Sequence, residues 1–558
     1  MRHHRALASG LCILLIAFTH ASAEVPKTPR DYGLAHRFEG MGSHTRAIST
    51  ASADAQAFFN QGLVWAFAFN HDEAIRSFQA AAVHDPGCAM AWWGVALCNG
   101  PHINNPVVDA EHAHAAWKAI QKAKERAGSA SPVERDLITA LASRYAKPQP
   151  DDRRPLDEAY AVAMEQVWTK YPNDADVGTL FAESLMNLQP WDLWTKDGRP
   201  KGRTLEILAV LEKVLAGDPN HPGANHLYVH ATEASPHPEK GAAAADRLRE
   251  AVPMSGHLVH MPSHIDVQLG RWSLAADQNA RAIEADARYR ALSPQQGFYR
   301  VYMAHNHHFL AFTCMMEGRS VSALTAARDM IAGVPPEFIR DNGAWIDPYM
   351  MVALDVQKRF GRWDDILQEP APSEELPITT AWWFFTRGVA HAAKGQVSEA
   401  EQEQRKFRAA VKRVPEDAMM AINPAHKVLT IADHFLEGEI AYRRGDMDRS
   451  VAALREAIAV EDDLLYMEPP EWIQPVRHTL GAFLVSKGRF AKAEQVYRED
   501  LDIWPENGWS LHGLAQCLRA QGKDAEAAAV QERFAKAWKR SDTRIATSCL
   551  CVSGVAAR

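Results

Sequence analysis

Two short histidine pairs hold most of the chemistry this chain has to offer. His226-Leu-Tyr-Val-His230 is followed by His260-Met-Pro-Ser-His264, and both histidines recur 34 residues later. Imidazole is the commonest protein ligand for transition metals, and with a carboxylate it suits zinc, copper, iron or nickel. Side chains four residues apart on a helix stand roughly 5–6 Å from each other. Packed helices lie roughly 8–10 Å apart. Two adjacent helices could therefore bring four imidazoles around an ion that needs nitrogen at about 2.0–2.1 Å. A single His-x-x-x-His is a weak signal, and its return at a fixed interval gives it weight.

An interval of this length calls for stacked helix pairs. Between about residue 52 and residue 540 the sequence reads as paired amphipathic helices with short turns. The clearest unit runs from Ala55 to Pro86, with Gly62 where two helices must approach closely and Ala74, Phe78 and Ala81 as a small–large–small face. Trp93-Gly94 opens the next unit. Gly270-Arg271-Trp272, Gly318-Arg319, Gly361-Arg362-Trp363 and Gly488-Arg489 read as turns between the two helices of a unit. Leu480-Gly481, Ala493, Tyr497 and Pro505 repeat the pattern, and Trp509 with Gly513 begins another unit.

These motifs resemble the tetratricopeptide-repeat family over most of the chain. The resemblance implies an all-α solenoid, a superhelix of antiparallel helix pairs, of roughly eight to ten units; neighbours must stack because one pair cannot bury its apolar face alone. Asn70-His-Asp-Glu-Ala-Ile-Arg-Ser-Phe78, Ala91-Trp-Trp-Gly94 and the two histidine stretches are similar to a subgroup of exported bacterial members. No reaction follows from that similarity.

Aligned on the turn glycine Gly270, His257, His260 and His264 take positions two, five and nine of a repeat, which in the family line the concave groove. Aligned on Gly318, His305 and His308 take positions two and five of the following unit. His226, His230 and Glu233 fall at five, nine and twelve of the preceding one, and Glu183 comes opposite His230. The expected ligand set is thus His226, His230, His257, His260, His264, His305, His308 and Glu183, with Glu233 to orient an imidazole or act as a general base. Pro262 threatens the arrangement, because proline must start or bend a helix. His71 and His102 read as cap or turn residues. Met254, Met261 and Met303, and the pairs Trp92-Trp93 and Trp382-Trp383, read mainly as packing.

Composition sets the outer limits. The chain has 558 residues, 47% hydrophobic, and a net charge of -8, which gives no basic footprint for nucleic acid. Residues 1–23 read as a secretory leader: Arg2 and Arg5, an apolar stretch from Leu7 to Phe18, then Ala21-Ser22-Ala23. The mature chain is expected to be periplasmic or extracellular, without an integral membrane segment. Residues 24–51 read as an extended arm, 52–540 as a continuous array, and 541–558 as a C-terminal tail. In that tail Cys549-Leu-Cys551 could form a disulfide, meet a soft metal, or fray. Proline-rich or polar breaks at 148–155, 191–202, 235–238, 370–377 and 467–475 read as inserted loops. The chain has no Gly-x-x-x-x-Gly-Lys, Gly-x-Ser-x-Gly or His-Glu-x-x-His motif.

Two functions fit. In one, the concave groove binds a protein or peptide segment, and the histidines tune recognition, with or without a divalent metal such as zinc, copper or iron. In the other, the same histidines hold that metal for hydrolytic or oxidative catalysis.

Overall fold

The apolar stripes that recur at helical spacing become buried helix faces. The computed structural model describes residues 35–294 and 296–552. The stretch read as a leader, 1–23, and residues 24–34 of the expected arm lie outside them. Helices pair in sequence order: Ala53–Phe67 with His71–His84, Ala89–Cys98 with Ala110–Arg126, and so on to Gly508–Ala520 with Asp524–Ala537. Successive helices pack on each other along the chain. Side chains of Ser52, Asn70, Asp109 and Ser131 cap helix N-termini by accepting otherwise orphaned backbone N–H groups. The only strands among the described residues are the two-residue pair Met419–Met420 and Asn423–Pro424. No described helix is long and apolar enough to cross a membrane.

Each expected inter-helix turn is present. Gly270, Gly318, Gly361 and Gly488 have φ of +69°, +74°, +63° and +70°, a region open to glycine and costly for other residues. The packing follows the expected small–large pattern. Phe78 is fully buried, and a Cβ on Gly62 or Gly94 would come within 2.8 or 2.5 Å of its ring. Tyr497 sits in the same way between Gly481 and Gly513. Phe78→Ala is expected to destabilise the protein by about 3–5 kcal/mol, because two glycines cannot fill the space the ring leaves; denaturant titration measures this.

The array closes on itself. Trp272 Nε1 donates to the Pro505 carbonyl and Trp509 Nε1 to the Met315 carbonyl, each at 2.8 Å. Arg540 pairs with Asp277, and the Trp272 and Trp504 rings lie 6.2 Å apart. An aromatic seam thus joins the C-terminal units to the middle ones. The units surround an open hollow with a volume of about 3280 Å³. The arm is anchored into the core: Arg46 pairs with Asp174 and Asp176, and Phe38 packs on Trp65 and Tyr289.

Residues 541–552 pack along the C-terminal units rather than fraying. Gln516 donates to the Ala546 carbonyl, and Ser548 Oγ donates to the His478 carbonyl at 2.7 Å. Cys549 and Cys551 are disulfide-bonded and buried. Beside them, the buried Asp500 carboxylate accepts from His478, Asn507 and Ser510. Burial alone would raise its pKa, but His478 and the hydroxyl and amide donors outweigh burial and hold it below the usual range. A carboxyl depressed in the fold adds stability above its unfolded pKa and loses it as pH falls. Asp500→Asn should therefore lower the melting temperature at neutral pH, and the gap from the parent should narrow in acid. Melting curves across pH check this.

Candidate metal centre

Five of the expected ligands come from two successive units. Pro222–Thr232 carries His226 and His230, and Gly256–His260 with Pro262–Gln268 carries His257, His260 and His264. Arg300–Met316 adds His305. Pro262 does start a new helix, but Met261 keeps helical dihedrals (φ -50°, ψ -37°). The bend is small, and His260 and His264 stay together.

The six imidazoles form two adjoining sets of three. One ring nitrogen from each of His226, His230 and His257 lies within 4.8 Å of the others, and the same holds for His260, His264 and His305. The sets touch: the His230 and His264 ring centroids are 6.1 Å apart, as are those of His257 and His260. All six rings except His305 are essentially buried. Burial lowers the pKa of His226, His257, His260 and His305, and neighbouring imidazoles lower it further, so these rings are neutral.

Outward hydrogen bonds fix which nitrogen faces inward. His226 Nδ1 donates to the Phe67 carbonyl at 2.6 Å. His230 Nδ1 donates to Glu233 Oε1 at 2.9 Å. Asn279 directs its amide N–H groups to Ser263 Oγ and the Ala275 carbonyl, so its oxygen accepts from His260 Nδ1 at 2.7 Å. His264 Nδ1 faces two carboxylates, Glu233 Oε2 at 2.9 Å and Glu468 Oε2 at 3.1 Å. Four rings thus use Nδ1 outward and leave Nε2 for the centre, the arrangement that orients metal-bound imidazoles.

On the inner side, His260 Nε2 and His264 Nε2 lie 2.9 Å apart, and His226 Nε2 and His257 Nε2 lie 3.1 Å apart. His230 Nε2 is buried with no hydrogen-bond partner. At 2.9 Å the two nitrogens must share a proton in a hydrogen bond or share a metal cation in its place. Glu233 and Glu468 supply compensating negative charge. Burial works against His264 carrying a proton, but Glu233 and Glu468 outweigh it and raise its pKa. The same contacts hold Glu233 below the usual carboxylate range, although burial alone would raise it.

Glu233 orients His230 through a hydrogen bond and stands 2.9 Å from His264 Nδ1 as a charge, while the His264 hydrogen bond goes to Glu468. His308 and Glu183 stay apart from the cluster. The His308 ring stands edge-on to Tyr349 at 5.9 Å, and Glu183 accepts from Asn187 beside Arg144. Packing in the third unit accounts for His308. The unit bearing His308 has Phe309 packed against His260 and His264, so its ring takes the place a further imidazole would need. His71 and His102 sit beside the cluster, with the His102 ring stacked on Phe69 at 4.6 Å. Met254, Met261 and Met303 are buried as packing residues, as are Trp93 and Trp382. Trp92 and Trp383 lie under Lys122 and Arg387 and do not line the hollow.

Several partners carry no local signal in the sequence. Glu468 arrives from an inserted loop 204 residues beyond His264. Phe69 and Trp191 both touch the first set, Phe69 against His226, His230 and His257, and Trp191 edge-on to His230 at 5.1 Å. Both hold left-handed backbone, with φ of 56° and 62°. For bulky residues this costs roughly 1–3 kcal/mol each and commonly marks functional sites. Of the six imidazoles, His230 alone lines the hollow, together with Glu233 and Trp191. The histidines are thus sunk in the wall and are not spread over the groove, where a peptide could read them. A separate trio, His44, Asp176 and His221, is a structural tie: Arg46 already pairs with Asp176, and His221 Nδ1 caps Ala224.

No protein-family profile matches the chain, and no curated protein is similar to it. Among solved structures, the chain is similar to the human IFIT1 dimer with m7Gppp-AAAA at 13% identity, over 87% of this chain and 90% of that one, with a TM-score of 0.31. It is also similar to the APC/C hetero-tetramer Cut9-Hcn1 at 13% identity, over 88% and 74%, with a TM-score of 0.27.

Proposed function

We propose that this chain is an exported metalloprotein that holds transition-metal ions in the two three-imidazole sets and reacts with small molecules arriving through the hollow. One observation carries the reading. His260 Nε2 and His264 Nε2 face each other at 2.9 Å in a buried space while their other nitrogens are tied to Asn279 and Glu468, with Glu233 beside His264. Nitrogen ligands about 2.0–2.1 Å from a tetrahedral cation stand about 3.3 Å apart, so with His305 as a third ring a small parting of the two imidazoles would seat such an ion. The second set repeats the pattern around His226, His230 and His257.

A three-imidazole set leaves a fourth coordination position for an exogenous ligand, as catalytic sites require. Imidazole without thiolate favours copper, zinc or iron over purely soft or hard ions. The protein's own residues orient the rings and exclude bulk water. Phe69 covers one side of the first set, Trp191 stands over His230, and the hollow opens only at that ring. The leader-like residues 1–23 support export. Docking of a peptide in the hollow remains compatible with its size, but buried imidazoles cannot tune such binding directly.

The test is elemental analysis of untagged protein after mild metal loading and desalting. About two equivalents of one transition metal per chain support the reading. Metal-free protein, or metal content unchanged in histidine variants, sinks it.

A further inference from the structure

We propose that Cys549, Cys551 and Glu439 form a second, thiol-based site for a thiophilic cation of the cuprous or zinc class, opened when the disulfide is reduced. This site is independent of the six-imidazole centre. The three side chains come together because residues 541–552 pack onto the helix Ala425–Arg443, which carries Glu439 on its buried face. Their ligand atoms lie within 4.8 Å of one another.

Glu439 is the unexplained group. It is fully buried, and neither carboxylate oxygen has a hydrogen-bond partner. Native structures rarely leave such a group unpaired, and an ion is one of the few things that resolves it. Burial pushes its carboxyl up to about 7, opposed by the nearby Arg443 and Lys358. It is therefore close to ionising, and a cation would complete that change. The sulfurs are prepared in the same way. Cys551 N–H points at Cys549 Sγ at 3.2 Å, a contact that favours a negative sulfur. Arg443 donates to the Cys551 carbonyl and brings its positive charge to the same segment. Soft thiolate selects cuprous ion or zinc, and a carboxylate is a regular third zinc ligand.

The chemistry balances with a dithiol as reductant. Two electrons and two protons pass from the dithiol to the Cys549–Cys551 bond, which breaks to give two thiols, and the dithiol closes to its own disulfide. Cation binding then displaces both thiol protons to solvent. The segment 545–552 stays anchored meanwhile by Ser548, whose carbonyl faces Arg359 and whose hydroxyl meets Tyr497.

The experiment uses the full chain, reduced with a dithiol that is then removed under anaerobic conditions, and titrated with cobalt(II). The expected result is a near-ultraviolet thiolate-to-cobalt band saturating at one equivalent. It should persist in the His230→Ala/His264→Ala variant and be missing from oxidised protein and from Cys549→Ser. Glu439→Gln, which keeps the side-chain shape, should weaken binding at least tenfold with unchanged circular dichroism. A disulfide that resists reduction in folded protein, no band after reduction, or a band indifferent to Cys549→Ser would each overturn the proposal and leave a structural crosslink only. Because the histidine variant stays in the series, failure here is separable from failure of the imidazole centre.

Discussion

The double variant His230→Ala/His264→Ala is expected to leave purification with less than about a tenth of the parent's transition metal. Each set has three imidazoles, and removing one leaves two ligands and an uncovered cation in a buried space, where an unpaired charge is costly. The two replaced rings belong to different sets, so both should empty. Single variants separate the sets: His230→Ala should lose about one equivalent and His264→Ala the other. The measurement is metal per chain by elemental analysis alongside circular dichroism. Retention of both equivalents in the folded double variant would mean that the rings are packing groups.

Glu233→Gln is expected to weaken metal retention about 10–100-fold, a size typical for outer-shell partners of metal-bound imidazole. The carboxylate accepts from His230 through Oε1 and sets a negative charge 2.9 Å from His264 Nδ1 through Oε2. Glutamine has the same shape but only one accepting oxygen; its amide nitrogen would meet an imidazole N–H donor to donor. The amide therefore either gives up the His230 hydrogen bond or crowds His264, and the loss of charge is felt by both sets. Competition with a chelator of known affinity reads the effect. Glu468→Gln should act on the His264 set alone, which makes it the matched control. If Glu233→Gln behaved as the parent, Glu233 would have no role in holding the rings.

Much of the scaffold was legible because it rests on local rules. Gly270, Gly318, Gly361 and Gly488 mark turns that only a left-handed residue can make, and Phe78 between Gly62 and Gly94 follows from volume alone. The juxtaposition of His226, His230, His257, His260, His264 and His305 followed from the repeat period. The same period misplaced His308 and Glu183, since it specifies a height along the superhelix but not which way a degenerate unit turns its side chains. Glu468, Asn279, Phe69 and Trp191 were beyond its reach. Glu468 depends on an inserted loop and on the closure of the array, and Phe69 and Trp191 depend on unusual backbone that no pattern of side chains announces.

The seam that joins Trp272 to Pro505 and Trp509 to Met315 has a bearing on biogenesis. Five of the six rings lie before residue 270, yet Glu468 comes from the last fifth of the polypeptide. During synthesis the early units can stack long before that carboxylate exists, and until it docks His264 is held from one side only. If the sets hold metal as proposed, its insertion would be a late step of maturation, completed only once the C-terminal units have docked. A protease cut in the loop at 467–475 would undo it without touching a single ligand.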